Sequence, residues 1–349
     1  METYLYRLTF RGPVHFGMEG IGLEAVEEHL CSDSLTSALV NAAALLEGPD
    51  GPRRMIQALG ADPPAFLLSS LFPYGPSPAD ETKTVEAVVK PLTDLAVEGN
   101  NPASAKDLKK IRFLLAEDFL HWIRGKPLDE RGLKALIRRS QDLKSRWWKE
   151  NTRPRVALDR VSQGSSIWNQ AALFFAGEEK DDKGRLKRAG AGLYGLVRFQ
   201  DAGWKKLLEN AFRLLGDTGL GGERTYGLGL FHFGGFEPLP PIWQEINTAP
   251  AEKYVLLSLF YPRPEEKPLV AKNFDAWELR ERRGYIVSGK EALPLKRKRV
   301  RMIVEGSVSR RPLRGTLADV TPVEPEKARL GHGVFRSGLA FYVPLGGGR

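Results

Sequence analysis

The order of apolar and polar positions along the chain switches repeatedly between two periods. Residues 3–10 place Tyr4, Tyr6, Leu8 and Phe10 on one face and Thr3, Arg7 and Thr9 mostly on the other, the pattern of a half-buried strand ending at Gly12-Pro13. Ser32 and Asp33 then read as the capped start of a helix with Leu35, Leu39, Ala42, Leu45 and Leu46 inside, stopped by Gly48-Pro49. Short apolar strands are expected at 66–72 and 85–89, with a rigid turn over Pro73 to Pro78. Ser104 to Asp107 has the form of a capping box, and Leu108, Ile111, Leu115, Phe119 and Trp122 recur at helical spacing after it. A second helix follows from Asp129 to Trp148. Strands are then expected at Ile167 to Phe175 and Leu193 to Phe199, the two joined by a charged hairpin loop from Gly177 to Arg188, and a helix at 203–215.

That helix leads into a glycine-rich stretch, Gly216-Asp-Thr-Gly-Leu-Gly-Gly-Glu-Arg-Thr-Tyr-Gly-Leu-Gly229, which runs on into a strand through Phe233. Glycines allow positive φ and close approach of backbone to a neighbour. A triphosphate-binding loop needs Lys-Ser/Thr after its last glycine, and Glu223-Arg224 stands there instead; a dinucleotide fingerprint meets Arg224 in place of its third glycine. Both also need strand before helix, the reverse of the order here. What remains is a loop whose amides can form an anion nest, with Arg224, Thr225 and Tyr226 adding a guanidinium, a hydroxyl and a ring.

Four prolines, Pro238, Pro240, Pro241 and Pro250, mark residues 238–250 as a linker, so the expected organisation is 1–237, linker, and 251–349. The second part opens with a strand at 254–261, continues through a weak helix or turn at 274–283, and carries the basic run Lys296-Arg-Lys-Arg-Val-Arg301 into a strand. A last strand is expected at 335–343. Helices and strands mixed in both parts indicate an α+β class with antiparallel sheets.

Composition adds charge to this outline. Among 349 residues, 52 Lys+Arg against 43 Asp+Glu leave a net +9, which points to a polyanionic partner. The single Cys31 excludes a disulfide framework and a cysteine-cluster zinc site, and His29, His121, His232 and His332 lack ligand spacing, so neither metal nor cofactor is expected. The N-terminus has no charged segment and apolar core of a signal peptide, and no run nears the roughly 20 apolar residues of a membrane span, so a cytoplasmic protein without a membrane partner is expected. His15, in a glycine-flanked loop, has the chemistry of a general base for RNA cleavage but also that of a hydrogen-bonding loop histidine. Asp33 is accounted for by helix capping, and Lys109, Lys110, Arg153, Arg155 and Arg160 are phosphate candidates.

Several separated segments together resemble one family. They are Phe10-Arg-Gly-Pro-Val-His-Phe-Gly17, Cys31-Ser-Asp-Ser-Leu-Thr-Ser-Ala38, Phe66-Leu-Leu-Ser-Ser-Leu-Phe-Pro73, Lys109-Lys110, Gly190-Ala-Gly-Leu-Tyr194, the glycine loop, Val304-Glu-Gly-Ser307 and Gly331-His-Gly-Val-Phe-Arg336. In this order they resemble the subunit of type III-A CRISPR (Csm) interference complexes that caps the 5′ end of the CRISPR RNA, within the RAMP superfamily. The resemblance implies two ferredoxin-like, RRM-like domains and a non-catalytic, RNA-binding role in antiviral defence. Such a subunit holds the repeat-derived 5′ tag of the crRNA and joins a large polymerase/cyclase-type subunit to the backbone RAMP subunits. The RNA-facing set then comprises His15 and Phe16; Ser32, Lys90, Lys109 and Lys110; Arg155 and Arg160, on a thumb-like hairpin between Arg155 and Trp168; Gly219, Gly221, Gly222, Arg224, Thr225 and Tyr226; and Lys296, Arg297, Lys298 and Arg299. Thr225-Tyr226 departs from the serine more usual in the family, although Thr225 keeps the hydroxyl. Two other readings stand beside this one: a metal-independent endoribonuclease that processes CRISPR RNA, and a protein-only scaffold.

Overall fold

The computed structural model of the chain describes residues 2–18, 22–95, 107–125, 127–286, 295–324, 327 and 330–346. Ser104, and with it most of the expected capping box, lies outside them. The fold is mixed α/β, and every strand pairing among the described residues is antiparallel.

The largest sheet is built on β1 (Glu2–Phe10), whose alternation buries Tyr6 and Leu8. Its other strands are β2 (Phe66–Leu68), β3 (Phe72–Pro76), β4 (Thr84–Val89) and β5 (Phe113–Leu115). A hairpin formed by β6 (Trp148–Leu158) and β7 (Ser165–Phe175) and the small charged hairpin of β8 (Glu179–Lys180) with β9 (Leu186–Arg188) stand apart from it. Then β10 (Gly192–Phe199) and β11 (Phe231–Phe233) complete the order β11-β1-β10-β3-β4-β5, with β2 beside β10 and β12 (Glu237–Pro238) beside β1. The β1–β10 register runs from Glu2 opposite Phe199 to Leu8 opposite Leu193.

Helices close the core. In α1 (Ser32–Glu47), Leu35, Leu39, Ala42 and Ala43 are buried at helical spacing, and Gly48 ends it at φ 67°. The chain turns at once into α2 (Asp50–Gly60), which the stop at Gly48-Pro49 does not foretell. α3 (Ala116–Ile123) and α4 (Glu130–Trp147) follow; Asp129 caps the latter through Gly132 N–H, and Trp147 packs on Gly75 of β3 and donates to the Pro76 carbonyl at 3.1 Å. α5 (Lys205–Thr218) lays Phe212 against Tyr6 at 4.7 Å and Phe233 at 5.0 Å between ring centroids.

Four expectations are corrected. The helix expected from Leu108 to Trp122 is broken by β5, because the fully buried Phe113-Leu114-Leu115 pairs with Val89, Val88 and Ala87, and the helix restarts only at Ala116. Pro73 to Pro76, expected as a turn, belongs to β3, a buried strand that pairs with β10 and β4. Within the expected linker, Pro241–Thr248 forms α6, with proline at its tolerant first turn and Trp243 and Ile246 buried. The weak helix or turn expected at 274–283 is two strands, β14 (Phe274–Ala276) and β15 (Leu279–Arg282).

The remaining strands are short. β13 (Lys253–Leu256) lies between β19 (Val308–Ser309) and β22 (Tyr342–Leu345), with β14 beyond β19, and β15 pairs with β18 (Val300–Ile303). β16 (Tyr285–Ile286) pairs with β17 (Leu295–Lys296), and β20 (Leu317–Asp319) with β21 (Phe335–Ser337). One hydrophobic cluster includes both Leu5, Leu39 and Leu196 from the first part and Val255, Leu257, Phe341 and Val343 from the second.

Candidate nucleic-acid interface

The glycine loop docks on the segment around His15. Gly222 N–H donates to the His15 carbonyl at 2.8 Å, Gly229 N–H to Pro13 at 2.9 Å, and Leu220 N–H to Gly229 at 2.9 Å. Backbone φ is +102° at Gly221 and +81° at Gly229. A Cβ at Gly221 would lie 2.6 Å from the His15 carbonyl oxygen, and one at Gly229 2.2 Å from that of Leu220. These glycines therefore allow the loop to pack on its own protein, and those amides are spent on internal carbonyls. The anion nest expected from the sequence cannot use them.

What the loop presents outward is a 3₁₀ turn, Arg224–Tyr226, between two left-handed residues, Glu223 and Gly227. Arg224, Thr225 and Tyr226 are exposed. The thumb-like hairpin expected between Arg155 and Trp168 is present as the distal half of β6–β7, in register with Arg155 opposite Trp168. Its Arg155 guanidinium sits 5.2 Å from the centroid of the Tyr226 ring, so loop and hairpin meet, while Arg160 is exposed at the tip.

Opposite the loop stand α1 and the β15–β18 ladder. Together they enclose a cleft of about 300 Å³, lined by His15, Phe16, Gly219, Gly221, Gly222 and Arg224 on one side, by Ser34, Ser37 and Asn41 of α1, and by Arg280, Arg282 and Arg297. Lys90, Lys109 and Lys110 lie around a neighbouring hollow with Arg112 and Arg280. Burial lowers the Lys90 ammonium's pKa, and the group stands 5.6 Å over the Trp122 ring. Lys296, Lys298 and Arg299 are exposed, Arg299 at 4.0 Å from Glu281.

Four residues of the expected set are buried rather than presented, Gly219 just after α5 among them. Ser32 is 2% exposed; its hydroxyl accepts from Leu259 N–H at 3.0 Å and its own N–H donates to Ser70. His15 is 3% exposed, its Nδ1 held 2.8 Å from the Ala171 carbonyl oxygen, and Phe16 is equally buried. Both still back the cleft wall. Asp33 is not a cap: α1 has no side-chain cap bond, and the carboxylate instead receives Arg282 through two bonds of 3.0 Å and also bonds Arg336. Burial would raise the Asp33 pKa, but the two arginines outweigh it and hold it below the ordinary value.

Beside this triad lies a second buried polar group, which sequence spacing did not reveal. His29 Nε2 is 3.7 Å from Cys31 Sγ and 3.8 Å from Glu305 Oε1. Arg112 donates to His29 Nδ1 at 2.9 Å, and because arginine can only donate, the ring proton sits on Nε2, which then cannot ligate a metal. Arg280 approaches Cys31 Sγ at 3.4 Å. Burial and Arg112 lower the His29 pKa, while burial raises that of Cys31; Glu305, despite burial, is lowered by His29, Ser70 and Arg280. The group is thus a hydrogen-bonded cluster joining the two parts of the chain. Arg280 and Arg282 were missed because their segment read as helix or turn; the period-two order Leu279, Arg280, Glu281, Arg282 was the available signal.

The comparisons agree with this architecture. Residues 249–345 match the CRISPR Csm4 C-terminal domain family. Over 323 residues the chain is 26% identical to the CRISPR system Cms protein Csm4 of Thermococcus onnurineus, covering 90% of each. It is 25% identical to the Csm4 protein of Methanocaldococcus jannaschii, covering 99% of this chain and 98% of that one. Among solved structures, a chain of the Csm3-Csm4 subcomplex of a type III-A CRISPR-Cas interference complex superposes with TM-score 0.58 at 18% identity over 99% of both chains. A chain of the Csm1-Csm4 cassette in complex with pppApA gives 0.59 at 20% identity over 98% of both. The solved structures share this fold, and the family match to the C-terminal part and the full-length similarity to Csm4 proteins together support a Csm4-type subunit of a type III CRISPR complex.

Proposed function

We propose that the chain is a non-catalytic, crRNA-binding subunit that holds the repeat-derived 5′ tag of the guide in the cleft between the glycine loop, α1 and the β15–β18 ladder. In this reading residues 1–237 and 251–349 are two ferredoxin-like domains around the 238–250 connection. The observation that carries it is convergence: elements distant in sequence bring Arg224, Arg280, Arg282 and Arg297 to one cleft, with Arg155 and Arg160 on the adjoining hairpin. Arg224 is exposed at this space, while Arg280, paired with Glu27, and Arg282, paired with Asp33, belong to its fixed wall, and a basic lining of this kind suits a phosphodiester chain. The non-catalytic part is supported by His15, whose ring is buried and bonded to a backbone carbonyl. By analogy with the complexes named for its relatives, the chain bridges a Csm1-type large subunit, the polymerase/cyclase-type partner, to a Csm3-type backbone subunit.

The test is RNA binding at several salt concentrations by the full chain and by a variant with Arg224 and Lys296 to Arg299 changed to alanine. The variant should bind the tag RNA more weakly, and its log K against log salt slope should flatten by about 0.7 for each phosphate it no longer neutralises. Equal affinity and slope would remove the RNA-facing assignment. Incubation of repeat RNA with the chain in EDTA should leave the RNA intact; cleavage abolished by His15→Ala would establish the endoribonuclease instead.

A further inference from the structure

We propose that one nucleobase of the bound RNA stacks on Tyr226, and that Arg155 of the hairpin holds this ring as a preformed platform. The inference rests on the RNA-binding reading above and names a contact within it. Phe16 and Tyr226 both stand in the expected RNA-facing set, and the structure separates them. Phe16 is 3% exposed and packs edge-on against Phe10 at 6.2 Å, so no base can reach its face. Tyr226 is 64% exposed.

The ring is also held in place. Its 3₁₀ turn is closed by Tyr226 N–H to the Glu223 carbonyl at 3.0 Å and Gly227 N–H to Arg224 at 2.9 Å, and the turn is pinned to the body through Gly222 and His15. The Arg155 guanidinium lies 5.2 Å from the ring centroid. Arg155 is itself fixed, because its Nε donates to Gln170 Oε1 at 2.7 Å and Gln170 is 5% exposed. Arg153, on the same face of β6, stacks over Phe174 at 5.5 Å, so the hairpin offers the loop a row of cations on aromatic rings. A ring whose rotamer is already set loses little freedom when a base lands on it. Every base has a π-face, so this platform sets the position of the strand without selecting its sequence. Arg155 against the ring and Arg224 in the same turn favour a nucleic acid over an apolar protein segment as the occupant.

The experiment measures the affinity of the full chain for single-stranded RNA of the repeat sequence, alongside copies of it carrying one abasic position each. Tyr226→Ala should weaken binding of intact RNA roughly 5- to 150-fold, the span expected for one stacked base. Tyr226→Phe and Tyr226→Trp should bind like the wild type. One abasic position should weaken wild-type binding and erase the difference between wild type and Tyr226→Ala. An unchanged affinity in Tyr226→Ala, or a loss equal for intact and all abasic RNAs, overturns the platform while leaving RNA binding in place. A wild-type chain that binds no RNA overturns both, and capture of a Csm1- or Csm3-type subunit that depends on Tyr226 would reassign the ring to protein contact.

Discussion

At the scale of single residues, the decisive group is Asp33. It is fully buried, takes two bonds of 3.0 Å from Arg282, and touches Arg336, which is 3% exposed. Removing one partner of such a group strands the others in a low-dielectric site, at a cost of about 3–5 kcal/mol. Asp33→Ala should therefore lower the urea unfolding free energy by that amount without altering the exposed loop residues; a change below about 1 kcal/mol would show that water reaches the arginines. This triad and the neighbouring His29 group together set the acid limit of stability. His29 is kept neutral in the fold, below its ordinary 6.5, so an unfolded chain takes that proton first and stability should begin to fall as pH drops through that value. Asp33 and Glu305 are lowered from ordinary values of 3.8 and 4.5, so what they contribute is complete above those values and is lost as pH falls below them. Thermal unfolding followed from about pH 8 to about pH 3 should show both stages, and Asp33→Asn should remove the Asp33 share of the lower one while leaving that of Glu305.

At the scale of elements, the glycine loop shows how a motif can be legible while its physics is not. Its order, helix then loop then strand, was readable from periodicity, and so was the exclusion of nucleotide motifs. That its glycines face the protein's own carbonyls was not, because nothing in the sequence says that Gly221 will lie against His15, about two hundred positions earlier. The consequence is testable within one loop. Gly229→Ala would place a Cβ 2.2 Å from the Leu220 oxygen at φ +81°, whereas at Gly227, φ +79°, no atom lies within 4 Å. Gly229→Ala should cost at least the ~1–3 kcal/mol of a strained left-handed residue and loosen Arg224–Tyr226, while Gly227→Asn should be nearly neutral. Denaturation together with amide exchange over 219–229 distinguishes them, and equal effects would mean that Gly229 is not packed against the Leu220 backbone. The helix expected from Asp129 formed as α4 (Glu130–Trp147), and the hairpin around Arg155, expected from the resemblance, formed as β6–β7. The segment from Leu108 to Trp122 was not legible: its apolar spacing fits a helix, but Phe113 to Leu115 form strand pairs with Ala87 to Val89, and only the tertiary fold supplies that partner. Pro73 to Pro76 misled for a related reason, because prolines that read as a turn are held in a strand whose neighbours are set elsewhere.

At the scale of the whole molecule, the two parts of the chain behave as one body. The Leu257 backbone sits in the seam, with Ser70 N–H donating to the Leu257 carbonyl at 2.8 Å and Leu257 N–H to the Phe341 carbonyl at 2.8 Å. Ser32 with Leu259, Asp33 with Arg282 and Arg336, and Glu27 with Arg280 at 3.4 Å continue the same seam in polar form. A hinge here would expose Leu257, Phe341 and Val343 to water and unpair several buried charges, each a large cost against a stability of about 5–15 kcal/mol. The cleft, whose walls come from both sides of that seam, is accordingly preformed, and binding need not be preceded by closure. Native-state hydrogen exchange in rising urea provides the check: the most protected amides of β1 and β10 and those of β13 and β22 should lose protection at the same urea concentration, as one cooperative unit. Earlier loss in β13 and β22 would mean that the C-terminal part opens separately, and the cleft would then be a moving one whose affinity depends on how often its two walls meet.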